Sequence, residues 1–197
     1  AYFTSANRGK KSITLNISKP EGQKLVRELA RNSDVLIENY KFGDLARYGL
    51  SYEDLKPINP RLIYCSVTGF GQTGPYREHP GYDFMIQGMG GMMSVTGEPD
   101  GDPKEGKAGG GPQRAGVPVA DIITGMYASI AICAAIAHRA ETGIGQHLDL
   151  ALLDSQIALL AYQNTNYFAT GKPPKRIGNL HPNIVPYQPF KTADGDV

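Results

Sequence analysis

Residues 34–38, Asp34-Val35-Leu36-Ile37-Glu38, constrain the fold more than any other stretch of this chain. An unbroken apolar run this short, bounded by acids, is the pattern of a strand in a parallel sheet covered on both sides, since a strand with one wet face would alternate. It follows a helical pattern in which Leu25, Val26, Leu29 and Ala30 share one face. Ahead of that helix, residues 12–17 alternate as a half-buried strand should. Ser18-Lys19-Pro20-Glu21 then combines a capping box with a proline near the first helical position. Strand, helix, strand is a parallel crossover unit. Short helices are expected at 44–48 and after Ser51, and Leu62-Ile63-Tyr64-Cys65-Ser66-Val67 supplies another strand, so the class is α/β with a mostly parallel sheet and helices on both faces.

Beyond that unit, residues 69–75 and 88–101 are glycine-rich loops around a helical patch near 83–93, and residues 101–116 form a flexible surface loop. A long helix over 119–140 follows, then a turn at 143–146, a strand at 147–150 and a helix from Leu153 onward. The apolar run at 120–137 is interrupted by Asp121, Thr124, Gly125 and Ser129 and is short for a bilayer span, which reads as a buried helix. Lys172-Pro173-Pro174-Lys175 reads as a linker. The chain lacks an initiator Met and ends in Asp194-Gly195-Asp196-Val197, a strand or turn cut short, so it is expected to be an internal piece of a longer protein. Residues 1–170 are expected to belong to a large domain, and 171–197 to be a linker and the start of a smaller one.

Twenty Lys and Arg against 19 Asp and Glu leave a formal charge of +1, with both signs interspersed, so neither a nucleic acid nor a membrane surface is an expected partner. Any acidic ligand must meet a local site. The only cysteines, Cys65 and Cys133, lie in apolar runs where a free thiol behaves as a small hydrophobe, which favours a reducing compartment: the cytoplasm, or the mitochondrial matrix in a eukaryote.

Gly-rich stretches invite a phosphate-loop reading, but no dinucleotide or P-loop fingerprint stands in context. His79, His138, His147 and His181 lack metal-ligand spacing, so no metal is expected. No nucleophile elbow supports a Ser-His-Asp triad. Asp121 is the carboxylate of interest: Pro118 and the apolar run after it place it in the first turn of the long helix, where free N–H groups and the helix dipole favour the anion. An acid in a first turn is also ordinary capping chemistry, so the residues alone leave both readings open.

Taken together, Asn7-Arg8-Gly9-Lys10-Lys11-Ser12-Ile13, Asp34-Val35-Leu36-Ile37-Glu38-Asn39-Tyr40, Asn59-Pro60-Arg61-Leu62-Ile63-Tyr64, Gly69-Phe70-Gly71-Gln72-Thr73-Gly74-Pro75 and Ala120-Asp121 resemble the class III CoA-transferases in order and spacing. This is the CaiB/BaiF-type family that includes formyl-CoA transferase and α-methylacyl-CoA racemase. The resemblance extends through Gly143-Ile144-Gly145-Gln146 to the run at 186–195. It implies a Rossmann-like sheet, an interlocked homodimer, coenzyme A as substrate, and Asp121 as a nucleophile that forms an acyl anhydride and then an aspartyl-CoA thioester.

For CoA binding, the resemblance implies Leu15 against the adenine, Asn39 and Tyr40 beside the nucleotide phosphates, and Arg47 as a phosphate cation. Ser18 stands where the formyl enzyme has Lys. A mobile glycine-rich loop that supplies oxyanion donors would fall near Gly178, Asn179, Leu180 and His181, and His181 or Asn183 would donate in place of its glycines. The racemase branch pairs the same Asp with a His in a Gly-His-Asp triplet. Here the triplet is Gly81-Tyr82-Asp83, and a tyrosine with a pKa of about 10 is a poor base at neutral pH, although its hydroxyl can line a transferase pocket. Transfer is therefore expected over racemisation or a non-catalytic CoA-binding module. The run at 183–188 resembles the branch handling short dicarboxylates, for which Arg114 or Arg176 would meet the distal carboxylate.

Overall fold

The apolar runs at 34–38 and 62–67 become neighbouring parallel strands in the computed structural model, which describes residues 2–195; the last two residues of the closing 194–197 run lie outside them. Strand β1 (Val35–Glu38) pairs with β2 (Ile63–Thr68), and β2 pairs in parallel with β3 (His147–Ala151), giving the order β1-β2-β3. The central strand carries the core: Ile63, Tyr64, Cys65 and Ser66 are all buried. On one face, Tyr64 packs with Ala30, Leu50, Leu55 and Leu62 beneath α2 (Pro20–Arg31) and α3 (Tyr52–Leu55), having followed a brief α1 (Tyr2–Ala6). Its hydroxyl donates to the Leu50 carbonyl at 3.1 Å. Toward the other side, Ile86, Ala120 and Leu152 form a second cluster, reached by Val67 and Phe70. They belong to α4 (Asp83–Met89), α6 (Val119–Thr142) and α7 (Leu152–Leu159); α5 (Met92–Val95) precedes α6, and α8 (Tyr162–Thr170) follows α7.

Several expectations change. Residues 12–17 form no strand, because no strand among the described residues lies beside them; Ile13 is 67% exposed. Nor does Ser18 cap α2. Its N–H and hydroxyl both donate to the Asn16 side chain, at 3.0 and 2.6 Å, which forms the turn ahead of the helix, and Lys19 becomes the N-cap residue with Pro20 opening the helix. The capping box appears instead at α3, where Ser51 and Asp54 bond reciprocally. In β1, Ile37 is 61% exposed, so that edge strand is not covered on both faces.

Helix α6 differs most from the reading as a buried helix. It is 24 residues long, long and apolar enough by length and composition to cross a membrane, yet it buries only a stripe of Ala120, Thr124, Ala128, Ala135 and Arg139. These recur mostly at four-residue spacing, and small side chains there let the helix approach β2 and β3 closely. Ile122, Met126 and Ile130 point away and are exposed, as is Cys133, which is not the core hydrophobe its apolar run suggested.

Arg139, near the end of α6, locks that approach. Buried to 8% exposure, its guanidinium donates to the carbonyls of Asp34 and Arg61, both at 3.1 Å, and to the Asp34 carboxylate at 2.9 Å. One side chain thus ties the helix to the entrances of β1 and β2. At the opposite end of β2, Gly69 lies back to back with Gly81: a Cβ built on Gly81 would stand 2.3 Å from the Gly69 Cα, and one on Gly69 2.4 Å from the Gly81 Cα. Only two glycines allow the segment before α4 to lie directly against the end of β2.

Two substitutions in the full-length protein test these contacts. Arg139→Met strands two carbonyls and is expected to lower unfolding stability by about 2 kcal/mol in urea titration, with little change in m. Gly81→Ala is expected to cost about 1–3 kcal/mol by forcing the two backbones apart, whereas Gly74→Ala, whose Cβ would meet nothing within 4 Å but which has a φ of +84°, is expected to cost about 1 kcal/mol through backbone strain alone.

Candidate functional site

A helix N-terminus leaves its first N–H groups without intrahelical partners. At α6 the N-cap residue is Pro118, whose side chain makes no capping bond. The acceptor comes from another helix. Asp83, first residue of α4, places Oδ1 2.8 Å from the Ala120 N–H and 3.5 Å from the Asp121 N–H. Its Oδ2 accepts from the Gln87 side chain at 2.7 Å, one helical turn on, and the fully buried Gln87 in turn accepts the Ala115 N–H at 2.8 Å. Asp83 and Gln87 together hold both the start of α6 and the chain entering it. The sequence reading treated Asp83 only as the end of a triplet; the Asp-Gln pair at i, i+4 was the available clue.

This clasp alters the electrostatics expected for Asp121. The dipole argument favoured the anion, but partial burial and, second, the Asp83 carboxylate at the same helix end push the Asp121 carboxyl above the ordinary aspartate range. Desolvation and, after it, a second carboxylate at the same helix terminus outweigh its dipole.

Beside this terminus a crevice of about 110 Å³ opens outside the carboxyl ends of β1 and β2, the place where open α/β sheets hold ligands. Asn39, Tyr40, Thr68, Gly69, Gly81 and Tyr82 contribute to its walls. The Gly69–Gly81 contact joins the crevice to the Tyr82-Asp83 segment and so to Asp121. Tyr82 is 70% exposed. Asn39 is tied down by a short hydrogen bond from its amide to the Val67 carbonyl, and Glu38 accepts the Tyr40 N–H at 2.7 Å, so the loop leaving β1 is held at both residues.

The other candidate residues are placed elsewhere. Leu15 is half-buried in the extended stretch before α2 and does not line the crevice. Arg47 is also absent from its walls; its guanidinium pairs with Asp44 at 2.8 Å and lies over the Tyr48 ring. The loop at 178–183 has its contacts with the 97–98 loop and α8: the Gly178 N–H donates to Gly97, the His181 ring packs between Tyr162 and Tyr187, and Asn183 bonds reciprocally with Asn166. His181 Nδ1 accepts the N–H groups of Asn183 and Ile184, at 3.1 and 3.0 Å, which puts the ring proton on Nε2. Asn179 is exposed in the turn at 178–179. Arg176 is buried and paired with Asp100 through a short contact, and Arg114 is exposed, donating to the Ala115 carbonyl at 3.1 Å.

Neither cysteine is placed as a nucleophile. Burial, with Glu38 nearby, pushes the Cys65 thiol up. Ser66 Oγ lies 2.9 Å from the His147 ring, but that serine sits within β2 rather than on a strand-to-helix turn, and the imidazole is stacked on Tyr52. Among the described residues no group of three or more His, Cys, Asp or Glu gathers as a metal site.

The model of CoA-transferase family III matches residues 1–197. Succinate–glutarate CoA-transferase of Agrobacterium fabrum is 56% identical over 195 residues, covering 99% of this chain and 46% of that protein. Human succinyl-CoA:glutarate CoA-transferase is 46% identical over 194 residues, covering 98% of this chain and 42% of that protein. Among solved structures, a CAIB/BAIF family protein from Brucella suis superposes with a TM-score of 0.87 at 57% identity, over 99% of this chain and 49% of that one. The chain thus spans about half the length of the relatives it matches. On these grounds the chain belongs to CoA-transferase family III.

Proposed function

We propose that the protein containing this chain transfers CoA from an acyl-CoA to a free carboxylic acid, with Asp121 as the nucleophilic carboxylate. The observation that carries this reading is the position of Asp121: an acid in the first turn of α6, joined through Asp83 and Tyr82 to the crevice at the carboxyl ends of β1 and β2. An Asp121 oxygen attacks the thioester carbonyl, the C–S bond breaks, and CoA departs as thiolate from a mixed anhydride. The thiolate attacks the Asp121 acyl carbon and releases the donor acid, leaving an aspartyl-CoA thioester. The acceptor carboxylate attacks that thioester, forming a new anhydride; the thiolate then takes the acceptor acyl group, and Asp121 returns as carboxylate. Each exchange is divided into steps with good leaving groups.

Partial desolvation that raises the Asp121 pKa also makes its anion a stronger nucleophile, while Asp83, held by three N–H donors, keeps the helix end ordered. Asn39 and Tyr40 are read as CoA contacts within the crevice, Leu15 and Arg47 as contacts outside it, and Tyr82 as a wall of the acyl pocket. Gly178, Asn179 and His181 are read as a loop whose donors meet the oxyanions once the remainder of the protein is in place. The His181 Nε2–H supports that role. The dicarboxylate preference rests on the relatives named for succinate and glutarate, and Arg114, whose neighbour Ala115 is bound by Gln87, is the better-placed partner for a distal carboxylate. Residues after Gly171 lead toward the smaller domain. The exposed flank of α6, with Ile122, Met126 and Ile130, is read as a face covered in a homodimer, in a cytoplasmic or mitochondrial-matrix enzyme.

The decisive experiment incubates full-length protein with succinyl-CoA or glutaryl-CoA and a panel of free acids. Acid-dependent appearance of new CoA esters, with a hydroxylamine-sensitive adduct on Asp121 seen by mass spectrometry, is expected, and Asp121→Ala should abolish both. No exchange, together with solvent deuterium entering a 2-methylacyl-CoA, would move the assignment to racemisation.

Asp121 also has a stability signature. A carboxyl whose pKa is raised on folding favours the folded state below its unfolded pKa, and that contribution is lost as pH rises through the folded value. At neutral pH its ionised form is therefore a burden. Asp121→Asn is expected to melt higher than the parent at pH 7 to 8, with the advantage shrinking as pH falls through the raised folded value and gone below the unfolded value of about 4, measured by scanning calorimetry; a lower melting temperature at pH 7 would contradict it.

A further inference from the structure

Asp83 and Gln87 form a bridge of two side chains with a backbone donor at each end. The Ala115 N–H donates to Gln87 Oε1 at 2.8 Å, Gln87 Nε2 donates to Asp83 Oδ2 at 2.7 Å, and Asp83 Oδ1 accepts the Ala120 N–H at 2.8 Å and the Asp121 N–H at 3.5 Å. The polarity of such a bridge is not free. A backbone N–H can only donate, so Gln87 must turn its oxygen toward Ala115 and its NH2 group toward Asp83. Asp83 then meets donors at both oxygens. Only the ionised carboxyl is acceptor-only, and Gln87 is fully buried, so a mismatched donor there would have no water to turn to. Hydrogen bonding therefore fixes a negative charge at Asp83, and any proton held between the two acids belongs on Asp121.

The other charged groups on the elements packed against α6 are engaged or stand elsewhere. On α7, Asp154 lines a groove with Tyr127, Ile130 and Ala131, further along the helix. On β3, His147 bonds to Ser66 and Asp149 accepts the Gln72 N–H, while β2 brings no charged residue. Arg114, on the chain entering α6, donates to the Ala115 carbonyl, and His138, Arg139 and Glu141 lie at the far end of α6. Resting on the transfer reading, we infer that Asp83 is a positioning residue for the reaction: its fixed charge, beside the Asp121 carboxyl at one helix end, decides the pH at which Asp121 becomes a nucleophile, a task separate from capping α6. After burial, that charge is the second cause of the raised Asp121 carboxyl. An amide cap would satisfy the same helix end and supply no charge.

The bridge lets charge and hydrogen bonding be separated in the full-length protein. Asp83→Asn alone sets two NH2 groups against each other, and Gln87→Glu alone sets two carboxylates against each other, so each is expected to lower the melting temperature. Combined, the two changes restore every bond: the amide oxygen at position 83 accepts from α6, its NH2 group donates to the carboxylate at 87, and that carboxylate accepts from Ala115. The negative charge has then moved one turn along α4, roughly 5–6 Å, to a residue that does not touch the start of α6. The double variant is expected to melt near the parent. With the charge withdrawn Asp121 ionises more readily, so the acid limb of its single-turnover acylation by succinyl-CoA or glutaryl-CoA is expected to fall by roughly 0.5–1 pH unit. Both proteins meet the same substrate, so titration of the substrate's own carboxyl cancels in the comparison. A restored melting temperature with an unmoved limb would make Asp83 a cap alone and overturn the proposal. So would a double variant that melts no higher than the single ones, because the bridge would then lack this polarity. A second readout needs no turnover: Asp121→Asn is expected to raise the melting temperature at pH 7 less in the double-variant background than in the parent, and equal gains would overturn the role of the charge. Unequal gains in a protein that forms no adduct would sink the transfer reading alone.

Discussion

One carboxylate, that of Asp83, holds the candidate site together. It belongs to α4 but satisfies the first N–H groups of α6, and through Gln87 it reaches the chain that enters α6. Without an acceptor there, Pro118 would leave a helix terminus half-buried and uncapped, a state that costs more than an ordinary lost hydrogen bond because the N–H groups cannot all turn to water. The position of Asp121 therefore depends on a side chain 38 residues earlier in the chain. That distance is spanned by glycine-rich loops with little core of their own, which makes the clasp the main registration between two parts of the molecule.

The remaining geometry follows from how closely backbones are allowed to approach. Small residues along the buried stripe of α6 bring that helix onto β2 and β3, and Arg139 fixes its far end by binding carbonyls at the entrances of two strands. Gly69 and Gly81 bring the α4 segment onto the exit of β2. One helix is thus held at its C-terminus by a cation and at its N-terminus by an anion, each the sign that suits that end of the helix dipole. The crevice lies where the strand exits, the glycine contact and the anionic clasp converge.

Most of the architecture was legible in the residues. The apolar runs of β1 and β2, the presence of α2, and the extents of α4, α6 and β3 follow from patterns of local order, because burial against a sheet imposes them on nearby residues, although α2 buries Ala30 and leaves Leu25 and Leu29 of its expected apolar face 48% and 50% exposed. What was not legible has a common cause. Residues 12–17 alternate like a strand, but strand formation needs a partner edge, and alternation carries no record of whether one is present. Ser18 has the capping-box pattern, yet Asn16 competes for its hydroxyl. The apolar composition of α6 predicts burial all round, whereas the structure buries a stripe and leaves Ile122, Met126 and Ile130 outside. At the site, the first-turn position of Asp121 could be read from Pro118 and the run after it, but the sign of its pKa shift could not, since it depends on how far the fold buries the carboxyl and, second, on a charge carried by another helix.

The resulting electrostatics oppose folding at the candidate site. Asp83 is needed as an acceptor at the α6 N-terminus, and an acceptor there that is also an anion repels the neighbouring Asp121 carboxylate. A sequence selected only for stability would keep one acid and replace the other with Asn or Ser, which cap a helix without the like charge. Keeping both is unfavourable for the folded state, and in the proposed transfer it would favour a carboxylate that attacks a thioester, because a partly desolvated anion near a like charge is more basic and loses less by becoming an ester or anhydride. On the proposed mechanism, neutralisation on acylation would remove the repulsion, so the covalent state would relieve a strain that the resting state carries.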